Sequence, residues 1–134
     1  MPAFHLSLPV RDLEAALAFY TGVLGCEPGG SGTDWADVNF HGHQLSLHED
    51  AATPNDDRMC EIDGARVPMR HFGLVMTPEA WRDLAARLAG RGLDFVLTPR
   101  SRFVGQLGEQ HTMFVADPSG NAIEFKAFPR GVWT

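Results

Sequence analysis

The chain has 134 residues, 44% apolar and 21% charged, ordinary globular usage that argues against a disordered or fibrous chain. A formal net charge of −6 without any Lys/Arg cluster argues against a nucleic-acid surface, because phosphate neutralisation needs clustered cations. No apolar run approaches the roughly 20 residues of a membrane helix, and Met1-Pro-Ala-Phe-His lacks the pattern of a secretion signal. The two cysteines, Cys26 and Cys60, lie too far apart for a Cys-x-x-Cys site, so a cytoplasmic protein with reduced thiols is expected.

Phe4 to Val10 alternates as a strand, with Phe4, Leu6 and Leu8 on one face and His5 and Ser7 on the other. Asp12 then caps a helix whose apolar positions are Leu13, Ala16, Leu17, Tyr20, Val23 and Leu24, ended by Gly22 and Gly25. Gly29 to Gly32 reads as a flexible turn. Trp35 to Phe40 and Gln44 to His48 read as a hairpin around His41-Gly42-His43. The polar stretch 51–66 reads as a linker between halves 1–50 and 67–134.

The second half repeats the order. Arg70 to Met76 is a strand with His71, Gly73 and Val75 on one face. Thr77-Pro78 starts a helix with Trp81, Leu84, Ala85 and Leu88 as its buried stripe, and Gly90 or Gly92 ends it. Leu93 to Leu97 reads as a strand, and Pro99 to Gly108 as a loop carrying Arg100, Arg102 and Phe103. Gln110 to Ala116 and Ala122 to Phe128 form a hairpin through Asp117-Pro118-Ser119-Gly120, whose residue types favour a turn. Each half is therefore strand, helix and three strands, an α+β arrangement in which one helix per half cannot cover its sheet alone.

His5 and His71 occupy equivalent positions in the two copies, and Glu124 shares their face in the last strand. Two imidazoles and a carboxylate with open positions left are the ligand set of non-haem iron(II) sites, and Mn, Ni, Co or Zn also suits it. A lone strand histidine is more often an ordinary hydrogen-bonded residue, but the repeat raises the case for this pair. His48 is the candidate proton carrier on the rim, since imidazole titrates near neutrality. His41 and His43 read as solvent-exposed, and His111 is open to either face. Phe4, Phe72, Phe125 and Trp81 read as core, and Phe103 as a cover over a ligand. Arg100, Arg102 and Lys126 read as solvated surface charges, with reception of an anionic substrate as the alternative.

Val10-Arg11-Asp12-Leu13-Glu14-Ala15-Ala16, Phe19-Tyr20-Thr21-Gly22-Val23-Leu24-Gly25, His71-Phe72-Gly73 and Asp117-Pro118-Ser119-Gly120-Asn121-Ala122-Ile123-Glu124-Phe125 together resemble the vicinal oxygen chelate superfamily of glyoxalases, extradiol dioxygenases, fosfomycin-resistance enzymes and bleomycin-resistance proteins. The resemblance covers nearly the whole chain. It implies one glyoxalase-like domain of two paired βαβββ modules whose curved mixed sheets form a cleft, and a homodimer. It also implies a divalent metal, Fe2+ favoured, on His5, His71 and Glu124, and a small-molecule substrate that chelates the ion through neighbouring oxygens. Aligning Gly42 with Gly120 makes Ser46 the internal counterpart of Glu124. Glyoxalases of the superfamily generally carry a glutamate there, so Ser46 counts against their lyase chemistry and leaves a dioxygenase-like pattern. A bleomycin-resistance-like binding protein without catalysis, or a glyoxalase-type lyase, is the alternative.

Overall fold

A computed structural model describes residues 2–131. The described residues divide into two compact units, one within Met1–Asn55 together with Asp117–Asn121 and one within Asp56–Ala116 together with Ala122–Thr134.

Unit 1 holds strand β1 (His5–Val10), helix α1 (Leu13–Leu17) running on as a π-helical turn (Ala18–Val23), and strands β2 (Glu27–Ser31), β3 (Trp35–Phe40) and β4 (His43–Glu49). The sheet order is β1-β4-β3-β2, with β1 parallel to β4 and the other pairs antiparallel. Asp12 caps α1 by accepting the Ala15 amide, and the Glu49 carboxylate accepts the Leu13 amide at 2.8 Å, so two orphan donors of the first turn are satisfied. Phe19 and Tyr20 of the π turn are buried along with Leu13 and Ala16 of α1, as are Val38, Phe40, Leu45 and Leu47 of the sheet. His41 and Gly42 both have positive φ, 53° and 92°, as a two-residue hairpin turn demands.

The Asp117–Asn121 turn is fastened within unit 1 by its aspartate. Asp117 is buried and accepts the Tyr20 hydroxyl at 2.9 Å, the Ser119 and Asn121 amides and the Asn121 side-chain amide. Burial first, then the Asp117 charge and its hydrogen bond, push the Tyr20 hydroxyl far above its ordinary pKa, so it stays a donor.

Unit 2 repeats the topology. Its strands β7 (Phe72–Met76), β8 (Leu97–Arg102), β9 (Gln110–Ala116) and β10 (Ala122–Ala127) run in the order β7-β10-β9-β8, with β7 parallel to β10. Helix α2 (Pro78–Gly90) is capped by Thr77, whose hydroxyl accepts the Ala80 amide. It buries Trp81, Leu84, Ala85 and Leu88, and the Trp81 indole donates to the Phe125 carbonyl at 2.8 Å. A Cβ at Gly73 would overlap the Glu124 carbonyl oxygen, so only glycine lets β7 lie this close to β10.

Several expectations need correction. Gly29–Ser31 is not a turn but part of β2, an irregular strand that shifts register between Pro28 and Ser31; its glycines weaken strand propensity, and pairing with β3 overrides it. The strand expected at 93–97 starts at Leu97 and runs through the expected loop to Arg102, because β9 offers a partner edge. The stretch read as a linker holds β5 (Met59–Ile62) and the start of β6 (Ala65–Pro68), which pair as a hairpin whose Ala65 and Val67 pack with Leu97 and Phe114. Phe4 is not core; it is 63% exposed, one residue before β1.

Candidate functional site

The sheet of unit 2 carries a charged cluster on the face opposite α2. Parity along β10 sends Ile123 and Phe125 to the helix and Glu124 and Lys126 to the other face. On β9 Thr112 and Phe114 share that face, opposite Lys126 and Glu124 in register. Arg102 lies at the end of β8, paired with Gln110. His71 immediately precedes β7, two residues before Gly73, which is the register partner of Glu124.

Glu124 is buried at 4% exposure, and each of its oxygens is occupied. Oε2 accepts Thr112 Oγ1 at 2.7 Å and Nη2 of Arg102. Oε1 faces His71 Nε2 at 3.3 Å and Lys126 Nζ at 3.5 Å. Burial would raise the carboxyl, but the His71 and Thr112 hydrogen bonds with the charges of Lys126 and Arg102 outweigh it, and its pKa falls from the ordinary 4.5 to about 2. A buried carboxylate is thus held ionised by its neighbours.

His71 is fixed by its other nitrogen. Nδ1 lies 2.8 Å from the Pro68 carbonyl, an acceptor only, so Nδ1 carries the hydrogen and Nε2 points at Glu124. The Phe114 ring packs edge-on to the imidazole at 4.9 Å. The hydrogen bond to Glu124 raises the His71 pKa; burial opposes it, and the Pro68 carbonyl adds to the rise. Two electron-rich atoms facing each other at this spacing need a proton or a cation between them. A histidine bonded through one nitrogen to a backbone carbonyl, with the other free toward a carboxylate, is the arrangement that orients metal-binding imidazoles.

Unit 1 carries a matching polar face. The register pairs His5 with Gln44 and Ser7 with Ser46 on β1 and β4, and Asp37 with Ser46 on β3 and β4. Since Ser7 and Ser46 stand where Gly73 and Glu124 stand in unit 2, the internal equivalence of His5 with His71, and of Ser46 with Glu124, is written in the strand pairing. His5 and His48 are both exposed. Ser46 is buried and donates to Asp37 Oδ1 at 2.6 Å, while Gln44 donates to Oδ2 at 3.0 Å. Those two hydrogen bonds, Ser46 first, lower the Asp37 pKa, with smaller help from the charges of His5 and His48. Unit 1 therefore has a carboxylate one strand over from the serine.

The structure brings His71 and Glu124 together and places His5 and His48 on the polar face of unit 1. Among the described residues, no group of three or more His, Cys, Asp or Glu side chains is gathered as a metal cluster. Arg102, read as a solvated charge, is buried at 3% exposure against Glu124; Arg100 is exposed and bonded to its own strand at Thr98. His111 stacks near Trp81 at 5.2 Å and shares a hydrogen bond with Ser101, so it faces away from Glu124. Asp37 escaped sequence reasoning altogether, although its alternation with Val38 and its place across the hairpin from Ser46 were available to find it.

The model of the Glyoxalase/Bleomycin resistance protein/Dioxygenase superfamily matches residues 3–125, a span that includes His5, His71 and Glu124. A glyoxalase/bleomycin resistance protein/dioxygenase from Alicyclobacillus acidocaldarius is 34% identical, with 95% of this chain and 91% of that one covered and a TM-score of 0.78. The fosfomycin resistance protein FosX from Listeria monocytogenes is 17% identical (96% and 93% covered, TM-score 0.69). Lactoylglutathione lyase from Agrobacterium tumefaciens is 19% identical (96% and 94% covered, TM-score 0.68). Those last two are likenesses of fold alone. No curated protein matches. The α+β fold, the paired strand register and the family match agree, and the chain belongs to the glyoxalase/bleomycin resistance protein/dioxygenase superfamily.

Proposed function

We propose that the chain is a divalent-metal-dependent enzyme of the glyoxalase/dioxygenase type, with His5, His71 and Glu124 as the ligands and a dioxygenase-like reaction on a small substrate bearing neighbouring oxygens. The observation that carries the reading is the facing pair His71 Nε2 and Glu124 Oε1 at 3.3 Å, with His71 Nδ1 committed to Pro68. That pair presents one nitrogen and one oxygen to a shared cation. Glu124 Oε2 stays anchored by Thr112, so the carboxylate offers Oε1 alone. Lys126 holds Oε1 in the meantime and, being 30% exposed, is free to swing out.

His5 is the third ligand, from the same chain or a second copy, on the strength of its equivalence to His71. A bound divalent ion supplies Lewis-acid stabilisation of charge developing on the substrate oxygens, and iron(II) adds redox chemistry with dioxygen. His48, on the same strand face as Ser46, carries the proton. Ser46 replaces the base that lyase chemistry needs, which is why the reading leans away from a glyoxalase.

One observation favours a second reading, a non-catalytic small-molecule binding protein: the Arg102 guanidinium already neutralises Glu124. Elemental analysis of protein purified without an affinity tag separates the two. The enzyme reading expects one equivalent of a first-row divalent metal, lost in Glu124→Ala; metal content that survives that substitution would sink the ligand assignment.

A further inference from the structure

We propose that the Glu124 face of unit 2 receives a small molecule through an oxyanion, a carboxylate or phosphate-type group, held by Lys126 and Arg102. The inference names the substrate class for the site proposed above. It rests on fixed charges and unused donors and holds whether or not that site takes a metal.

Among the described residues the cluster contains one carboxylate, Glu124, and two basic side chains within ion-pair distance of it, Arg102 and Lys126. The side chains of Arg102 and Glu124 are each 4% exposed, so the excess positive charge sits beside a poorly solvated pair. A divalent ion on Glu124 would enlarge the excess. A negative group on the ligand removes it.

Arg102 also has donors to spare. Its planar fork carries five N–H groups; Nη2 serves Glu124 and, at a long 3.5 Å, Gln110 Oε1. Nε and Nη1 are buried and have no hydrogen-bond partner among the described residues. Nε shares one edge of the fork with Nη2, and that edge is shaped for a two-pronged carboxylate or phosphate. Glu124 uses only half of it. A buried donor left unmade carries its full desolvation penalty, so this state of Arg102 favours a partner.

The approach is from the Lys126 side. Lys126 and His71 keep side-chain exposures of 30% and 25%, and Gly73 and Val75 beside them are exposed. The oxyanion meets Lys126 first. Arg102, closed to solvent, engages as its fork turns from Glu124 Oε2 toward the newcomer, while Thr112 keeps its hydrogen bond to Oε2. Arg100 takes no part, because its guanidinium is tied to Thr98.

The test uses metal-free, 15N-labelled full-length protein and three probes: inorganic phosphate, benzoate, and neutral benzamide as the shape control for benzoate. At least one anion binds and moves the Arg102 Nε–H resonance, and benzamide binds at least tenfold more weakly than benzoate if benzoate is the ligand. Lys126→Met and Arg102→Gln each weaken the anion at least tenfold, Arg102→Lys restores part of it, and Arg82→Gln on helix α2 leaves it unchanged. The tighter of phosphate and benzoate identifies the oxyanion. Wild-type affinity in Lys126→Met, an unmoved Arg102 resonance at saturation, or no binding of either anion would overturn the proposal. Should Arg102→Gln not fold, the resonance and Lys126→Met still decide. Because no metal is present, the result is independent of metal binding: a protein that takes the anion but no metal keeps this inference and loses the enzyme reading.

Discussion

Breaking the Arg102–Glu124 pair from its two ends should give unequal costs. Arg102→Met leaves Glu124 with Thr112 at 2.7 Å, His71 at 3.3 Å and Lys126 at 3.5 Å, so the carboxylate remains ionised and bonded. The loss is one charge-assisted hydrogen bond, offset by removing two buried nitrogens, Nε and Nη1, whose three N–H groups have no partner among the described residues, about 1–2 kcal/mol. Glu124→Leu leaves a guanidinium buried at 3% exposure with Gln110 at 3.5 Å as its remaining partner among the described residues. An uncompensated buried charge costs about 3–5 kcal/mol. The double variant Arg102→Met/Glu124→Leu removes both charges and should cost less than Glu124→Leu alone, because apolar replacement of a whole buried pair is often near neutral. Urea unfolding of the four metal-free proteins at pH 7 measures this, with m-values checked for constancy. Additive costs, or Arg102→Met costing more than Glu124→Leu, would refute the reasoning.

The acid limb of stability should carry the signature of Glu124. Its folded pKa of about 2 lies below the unfolded value, so its contribution is full above about pH 4.5 and is lost as pH falls toward 2; Glu124→Gln should flatten that limb in urea melts from pH 6 to pH 2. His71 is raised in the fold, so its contribution is complete below about pH 6.5 and disappears as pH climbs through the folded value; His71→Gln should remove that slope in metal-free protein. Gly73→Ala should destabilise by about 2 kcal/mol or more, since its Cβ meets backbone that cannot give way, and a Tm within a degree of wild type would contradict the close approach. Tyr20→Phe removes one of four hydrogen bonds to buried Asp117 and should cost about 1–2 kcal/mol by thermal melting, against more for Asp117→Ala.

What the sequence makes legible follows from strong local signals. Asp12 and Thr77-Pro78 announce their helices because cap chemistry is local, and the alternation of Ile123-Glu124-Phe125 sorts core from site without any partner strand. The His5/His71 repeat survives into the strand register itself. Elements made by pairing are harder to read: β2 is built from Glu27-Pro-Gly-Gly-Ser, poor strand residues that the β3 edge recruits, and β8 contains Pro99 and two arginines. The burial of Arg102 is invisible for a related reason. Arginine is solvated by default, and only the fold reveals that Glu124 and Gln110 lie within its reach. Asp37 is missed because a carboxylate in a half-exposed strand is unremarkable until Ser46 is known to sit across from it.

The central claim is that His71 and Glu124, joined by His5, hold one cation. Calorimetric titration of metal-free protein with Fe2+, under anaerobic conditions, and with Mn2+ and Zn2+ tests it directly. The expected result is one equivalent per chain with proton release, and an affinity at least 100-fold weaker in His5→Ala, His71→Ala and Glu124→Ala alike. Undiminished binding in those three variants, or no binding by the wild type, would contradict it.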